Sequence, residues 1–214
     1  MVIRTILVAV RPGAPQPDLA ALGAVSGPGP GAQARLVAFD LPDGGVPAVE
    51  IARSAEREDA DLIVLPREPH DIVDGTVRRA RVPCLIVPPG QTAFGRVLAA
   101  VDASPDSREI TEAALAIGRL VGGAVTALHV EQPALVAAGR GSDRPAWAAP
   151  AVACRVMVRQ GDPVAEILRT VREDGFDLLV HGHHRGGPRW GHETGSIAAR
   201  LLRRAPCAVL TVPI

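Results

Sequence analysis

Aromatic residues are scarce in this 214-residue sequence, making up 2% of it with three Phe, two Trp and no Tyr. Proteins that bind single-stranded nucleic acid without sequence preference stack the bases on aromatic side chains. An excess of charge is lacking too, because Lys plus Arg and Asp plus Glu both number 23. We therefore expect no nucleic acid and no anionic membrane as a partner.

Long apolar segments and paired cysteines are also lacking. No stretch approaches the roughly 18 continuous apolar residues of a membrane-spanning helix. The N-terminal apolar run ends at Arg11 and is too short for a signal peptide. The three cysteines, Cys84, Cys154 and Cys207, have no paired spacing, so no disulfide framework is expected. These features predict a cytoplasmic protein.

An internal repeat is the most informative feature that the sequence does have. The matching segments are 6–10 with 97–101, 36–39 with 127–130, 61–64 with 177–180, and 83–87 with 206–210. Their order is kept while the offset grows from 91 to 116 and then to 123 residues. The chain therefore reads as two related halves, residues 1–90 and 95–214, of which the first is shorter.

Each repeated segment is short and rich in β-branched residues, and its apolar residues do not alternate with polar ones. This pattern is typical of a strand buried on both faces of a parallel sheet. Helical patterns lie between the strands. One starts at Asp106 with a capping-box-like Glu109, one at Asp162-Pro163, and one spans about 196–204. The predicted fold class is α/β, with two tandem doubly wound Rossmann-like domains and mainly parallel sheets.

The shorter half is predicted to have lost a strand. In the second half, a loop over 131–154 leads into a strand at 155–158. The first half has only residues 40–60 in the same place, and a helix over about 47–58 takes up most of them.

Two segments of the second half follow strands at the carboxyl-end edge, where open α/β sheets bind ligands. Asp102 closes the first strand and can accept hydrogen bonds from a ribose or an adenine amino group. Residues 182–196 form a glycine-rich loop before a helix, which suits phosphate. Taken singly, the first is often a helix cap and the second a long turn. Their convergence in one half favours a nucleotide site.

Histidines surround the glycine-rich loop, and they are His181, His183, His184 and His192. No carboxylate or cysteine completes a known metal-ligand spacing among them. We therefore expect no metal site built by protein side chains, and any Mg²⁺ would arrive with a nucleotide.

The second half resembles the universal stress protein family along its length. That family has Asp-Gly-Ser after its first strand, Gly-x-Pro before its third helix, and G-x2-G-x9-G-[S/T] before a helix followed by Ala-Pro-Cys-Pro-Val. The corresponding residues here are Val101-Asp102-Ala103-Ser104, Gly161-Asp162-Pro163, Gly182, Gly195-Ser196 and Ala205-Pro206-Cys207-Ala208-Val209. The resemblance implies an ATP-binding module of the stress response, not an enzyme, with an unidentified protein client.

The resemblance also implies the roles of individual residues. Asp102 and Ala103 would contact the adenosine, and Val130 would contact adenine through its backbone. The residues on and beside the phosphate loop would be Gly182, His183, Arg185, Gly195, Ser196 and Ile197. The implied cofactor is ATP, with Mg²⁺ where the nucleotide carries it.

This sequence departs from the family pattern in three places. Arg185 stands at the second glycine of the motif, Ala103 replaces a glycine, and Glu193 precedes the phosphate-binding turn. Arg185 either pairs with phosphate or fills the pocket.

The first half is predicted to be degenerate, without a nucleotide site. Arg11 stands where the repeat places Asp102, and the short segment 66–71 replaces the glycine loop. Aligning the last helices of the halves puts Ile72 opposite Gly195. We therefore expect one nucleotide per chain.

Two other functions remain open at this stage. The chain can be a universal stress protein that has abandoned nucleotide and acts as a structural or interaction module. It can also be an enzyme on a related scaffold, such as an adenylyl transferase or ATP pyrophosphatase. Those enzymes need a Ser-Gly-Gly-x-Asp-Ser or HxGH motif after the first strand, where this chain has Asp102-Ala103-Ser104-Pro105.

Pairing between the halves is predicted through their last strands. An apolar edge such as 207–212 is not left open in stable proteins. We expect strands 84–87 and 207–212 to be antiparallel neighbours, which would make the chain an intrachain pseudo-dimer. Further association into a homo-oligomer is implied by the family alone.

Overall fold

The computed structural model of the chain describes residues 3–10, 35–40, 46–92, 94–132, 154–184 and 197–214. Its strands are β1 (Thr5–Val10), β2 (Arg35–Asp40), β3 (Leu62–Pro66), β4 (Cys84–Val87), β5 (Arg96–Val101), β6 (Ala124–Glu131), β7 (Arg155–Gln160), β8 (Leu178–His183) and β9 (Ala208–Pro213). Its helices are α1 (Pro47–Arg57), α2 (His70–Arg79), α3 (Ser107–Val121), α4 (Pro163–Glu173) and α5 (Ile197–Arg204). As the sequence predicts, helices lie between strands, at β2–β3, β3–β4, β5–β6, β7–β8 and β8–β9 of the described residues.

The nine strands of the described ranges join one sheet in the order β2-β1-β3-β4-β9-β8-β5-β6-β7. Every neighbouring pair is parallel except β4 and β9, which run antiparallel with Leu85 opposite Leu210. The predicted antiparallel pairing of the last strands of the two halves is therefore confirmed.

The sheet is covered on both faces, which is why its strands are apolar without alternation. One face carries Ile51 of α1, Val77 of α2, Ile167 of α4 and Leu202 of α5 in a single cluster. The other face packs against α3 through residues such as Ile110. Each cluster contains residues of both halves, so the core does not divide at the linker.

The repeat extends to details of hydrogen bonding. Asp61 accepts hydrogen bonds from the backbone N–H groups of Arg4 and Thr5 at 2.7 and 2.9 Å, at the start of β1. Asp177 accepts one from the N–H of Arg96 at 2.9 Å, at the start of β5. In each half, an aspartate side chain thus accepts a hydrogen bond from the backbone at the start of the first strand.

The first half lacks one strand in its described part, as predicted. There β2 ends at Asp40 and α1 begins at Pro47, whereas β7 lies between the equivalent elements of the second half. Strand β2 is consequently an edge of the sheet.

Two expectations from the sequence are wrong. Asp106 precedes α3 but makes no side-chain capping bond, because its own backbone is already helical. The last elements of the halves are offset by 125 residues, not 123, because Ile63 of β3 pairs with Cys84 while its counterpart Leu179 pairs with Val209. The matching Pro-Cys dipeptides misled the alignment, and Ile72 stands opposite Ile197.

Candidate functional site

The strand order reverses between β5 and β8, which are neighbours although β6 and β7 lie between them in the sequence. Ala100 and His181 are their last paired residues. Asp102 and Ala103 therefore follow β5 beside Gly182 and His183 at the end of β8. A crevice at such a reversal is where open α/β sheets bind ligands.

Asp102 is held in place by two serines. Its Oδ1 atom accepts hydrogen bonds from the N–H of Ser104 at 2.8 Å and from the hydroxyl of Ser107 at 2.8 Å. The Ser107 hydroxyl also accepts from the Asp102 N–H at 2.9 Å. Ser107 is completely buried at the first position of α3. The sequence offered no role for this serine, although it fixes the turn.

These contacts set the charge of the carboxylate. Burial alone would raise the pKa of Asp102, but hydrogen bonds donated by Ser104 and Ser107, with a smaller effect of His129, outweigh it. The net result is a pKa below the ordinary value for aspartate. Asp102 is therefore an anionic acceptor at the mouth of the crevice.

Val130 lies beyond the end of β5. The last residue of β5, Val101, pairs with His129, so Val130 is the first residue of β6 past that ladder. On its other side Val130 pairs with Arg159 of β7. Its backbone is thus at the carboxyl-end edge where the sequence placed it. His129 is buried, with Nδ1 3.2 Å from the carbonyl oxygen of Val101.

Gly182 and His183 complete β8. A side chain at Gly182 would collide with Ile110 and Ile214, whose Cδ1 atoms lie 2.7 and 2.8 Å from the position a Cβ would take. A larger residue at this position would therefore require both isoleucine side chains to move. The side chain of His183 is buried, so only its backbone faces the end of the strand.

Ile197 is the first residue of α5, and the residue is 44% exposed. Three residues of the predicted phosphate loop, Arg185, Gly195 and Ser196, lie outside the described residues. The candidate site is therefore described on its β5, β6 and β8 sides and at the start of α5.

Helix α5 is anchored by ion pairs that the sequence did not reveal. Arg200 lies 3.7 Å from Oδ1 of Asp162, the residue within the Gly-x-Pro motif. The same Asp162 oxygen accepts a hydrogen bond from the N–H of Ala165 at 2.8 Å and caps α4. Arg203 pairs with Asp74 of α2 at 3.4 Å. Helix α5 thus forms ion pairs with residues of both halves.

The corresponding place in the first half has a different construction. Only Arg67, Glu68 and Pro69 separate β3 from α2. The guanidinium of Arg67 donates hydrogen bonds to the carbonyl oxygens of Ala205 and Cys207, across the junction with the second half. Arg11 lies outside the described residues.

The histidines near the site do not form a metal centre in the part of the chain that the structure describes. No group of three or more His, Cys, Asp or Glu side chains there is arranged to hold a metal ion. His192 lies outside that part. Among the same residues, no helix is long and apolar enough to cross a membrane.

Comparison with known proteins places this geometry in a family. The model of the universal stress protein family matches residues 93–213. A universal stress protein from Archaeoglobus fulgidus is 21% identical with a TM-score of 0.62, over 86% of this chain and 70% of that one. A protein from Pseudomonas aeruginosa, described as a putative universal stress protein, is 16% identical with a TM-score of 0.69, over 99% and 93%. No curated protein matches.

Proposed function

Because the chain belongs to the universal stress protein family, we propose that it is an ATP-binding regulatory module with one nucleotide site, formed by its second half. The observation that carries this proposal is the meeting of Asp102, Gly182 and the backbone of Val130 where the strand order reverses. Residues 1–90 and 95–214 would be its two domains.

The roles follow from the chemistry of each group. The anionic Asp102 would accept hydrogen bonds from the ribose or the adenine amino group, and Ala103 would line the same turn. The backbone of Val130 would contact adenine. The phosphates would lie against backbone N–H groups of Gly182, His183, Gly195, Ser196 and Ile197, because a helix N-terminus favours anions.

Regulation without dedicated catalysis fits these groups better than turnover does. The carboxylate of Asp102 accepts hydrogen bonds from Ser104 and Ser107, which suits a fixed acceptor better than a proton-transferring base. Any Mg²⁺ would be carried by the nucleotide. A protein client and association of chains are part of the proposal.

A single site per chain is the first consequence to test. Isothermal calorimetry of ATP should give one site, because the three residues from Arg67 to Pro69 leave no loop to wrap phosphates in the first half. Two equivalent sites would contradict the proposal. Mass spectrometry of nucleotide released from freshly purified, denatured protein identifies which nucleotide is carried.

Asp102→Ala should weaken ATP binding about tenfold to a hundredfold, since hydrogen bonds to a charged group contribute about 1.5–3 kcal/mol. Asp106→Ala is the matched control, because Asp106 lies in the same turn and makes no capping bond. Equal ATP affinity of the two variants would mean that Asp102 does not contact the nucleotide.

Arg185 separates the proposed function from the alternative of an interaction module without nucleotide. If Arg185 pairs with phosphate, Arg185→Gly binds ATP more weakly than the natural chain, and this is the result we expect. A natural chain without measurable affinity, together with tight binding by Arg185→Gly, would favour the interaction module.

A further inference from the structure

A pocket of about 340 Å³ opens at the foot of the first half, far along the sheet from the nucleotide site. Its lining residues are Ala52, Ala55, Glu56, Asp59, Ala60, Arg81 and Val82. It lies where α1 ends, beside the turn from α2 into β4. Ligand pockets in proteins commonly begin at about this size.

The second half contains the same backbone with that space filled. Helices α1 and α4 both begin with proline, at Pro47 and Pro163, and both end in a turn of matching hydrogen bonds. In the first half Ala60 donates its N–H to the carbonyl of Ala55 at 2.9 Å. In the second half Phe176 donates to Val171 at 3.0 Å. Residues 47–60 therefore correspond to residues 163–176 at a constant offset of 116.

Large side chains of the second half correspond to alanines in the first. Leu168, Val171 and Phe176 are at least 93% buried, since their exposed fractions are 3%, 1% and 7%. Their counterparts are the three alanines of the pocket. The ring of Phe176 is also covered by the guanidinium of Arg96, at 5.4 Å from the ring centroid. The corresponding positions thus hold an aromatic ring in the second half and border an open pocket in the first.

Closer packing of α1 does not remove this space, because α1 and α2 already touch at their other end. A Cβ at Gly75 would lie 2.7 Å from Cβ of Ala48, which is too close for two carbon atoms. On α2, the buried hydroxyl of Thr76 has no hydrogen-bond partner, where the second half has Leu201. A buried hydroxyl without a partner thus stands on α2 where the second half has an apolar side chain.

The rim of the pocket is acidic. Glu56 pairs with Arg81 at 3.3 Å, and both side chains are more than half exposed. Asp59, on the rim, is exposed and forms no ion pair with any residue that the structure describes. Glu56, Asp59 and Arg81 together leave a net negative charge beside Ala52, Ala55 and Ala60, which are 9%, 5% and 6% exposed.

We propose that this pocket binds a small aromatic ammonium, with its ring against the three alanines and its charge beside Glu56 and Asp59. The ring takes the place that Phe176 occupies in the second half. The site is independent of the proposed nucleotide site and lies in the half that lacks the glycine loop.

The test uses 2-phenylethylammonium as the probe and the whole protein with ¹³C-labelled alanine methyl groups. Addition of the probe should give saturable NMR shifts at Ala52, Ala55 and Ala60. The carboxylate 3-phenylpropionate has the same ring and the opposite charge. Its affinity should be lower than that of 2-phenylethylammonium by a factor of about three or more, because interactions between exposed charges contribute modestly to binding. No saturable shift, or equal affinity for both compounds, would overturn the proposal.

Two variants place side chains of the second half at the corresponding positions of the first half. Ala60→Phe should abolish the shifts and raise the melting temperature, because the introduced phenyl ring fills the pocket and excludes the probe. Should Ala60→Phe fail to fold, Ala52→Leu gives the same test with a smaller side chain. Undiminished probe binding in a folded variant would contradict the proposal.

Two further variants localise the site. Asp59→Asn keeps a residue type that tolerates the left-handed backbone at φ 50°. It should weaken binding of 2-phenylethylammonium by about threefold, while binding of 3-phenylpropionate should become no weaker. Asp102→Ala should leave the shifts unchanged, so failure of the nucleotide proposal is distinguishable from failure of this one. A loss of shifts in Asp102→Ala would place the probe elsewhere.

Discussion

Ser107 shows how one buried hydroxyl can control a functional carboxylate. It donates to Oδ1 of Asp102 and accepts from its backbone N–H, so it fixes both the turn and the charge. Ser107→Ala removes one donor that lowers the pKa of Asp102, and burial, which raises it, is left less opposed. We expect a higher pKa of Asp102 in a ¹³C carboxylate titration and weaker ATP binding by calorimetry.

Ser54→Ala is the control for that substitution. Ser54 is a buried helical serine of α1, hydrogen-bonded to Arg57 and remote from the crevice. It should leave both the pKa of Asp102 and ATP affinity unchanged. An unaltered titration of Asp102 in Ser107→Ala would show that the Ser104 contacts alone hold the carboxylate.

His181 makes stability depend on pH. It is 3% exposed, its Nε2 has no partner, and burial lowers its pKa from 6.5. The unfolded chain therefore binds the proton more readily, so the stability contributed by neutral His181 is present above about pH 6.5 and is lost as pH falls through the lowered value. His181→Leu should flatten the free energy of unfolding between about pH 8 and pH 5. Denaturant titrations at both pH values measure this.

A matched substitution of the exposed His70 by Gln should leave the pH dependence of the natural chain in place. A pH dependence equally steep in His181→Leu would assign the effect to another group.

At the scale of elements, apolar segments and turn residues predicted the strands and most helix starts. The start of α4 was predictable because its signals are local. Asp162, the proline after it and the N–H of Ala165 that Asp162 caps all lie within four neighbouring residues. The start of α3 at Asp106 was predicted, but its capping bond was not formed, because the backbone of Asp106 is already helical and Ser107 bonds back to the preceding turn. Such a contact depends on the path of the chain after β5, which local sequence does not specify.

Arg67 joins the end of β3 to the segment between α5 and β9. Its guanidinium bonds the carbonyl of Ala205, directly after the C-terminus of α5 where positive charge is favoured, and the carbonyl of Cys207, directly before β9. Arg67→Met should lower the free energy of unfolding by about 1.5–3 kcal/mol, because charged donors are lost from a partly buried place. Urea denaturation measures this change.

Arg53→Met provides the comparison for Arg67→Met. Arg53 forms an exposed pair with Glu50 at 3.5 Å, so its loss should cost about 0–1 kcal/mol. Equal effects of the two substitutions would mean that Arg67 contributes no more than a surface ion pair.

At the scale of the whole molecule, the repeat and the open edge of 207–212 predicted which strands meet between the halves. The register was not predictable, because the two Pro-Cys dipeptides suggest an offset of 123 residues while the strand ladder has 125. The anchors of α5, Asp162 and Asp74, were equally inaccessible to sequence reasoning. They come from elements far apart in the chain that only the folded sheet brings together.

One sheet and two shared core clusters should make the chain unfold as one cooperative unit. Val209 is completely buried and pairs with Ile86 across the junction. Val209→Ala should cost about 1–3 kcal/mol through the cavity that it leaves and lower the melting temperature by about 2–4 °C per kcal/mol. Because the unit is shared, the methyl groups of Ala60 in the first half and Ala113 in the second should lose their folded NMR signals at one common temperature, in the natural chain and in the variant. If the halves were independent, Val209→Ala would shift only the signal of Ala113, and calorimetry would resolve two transitions.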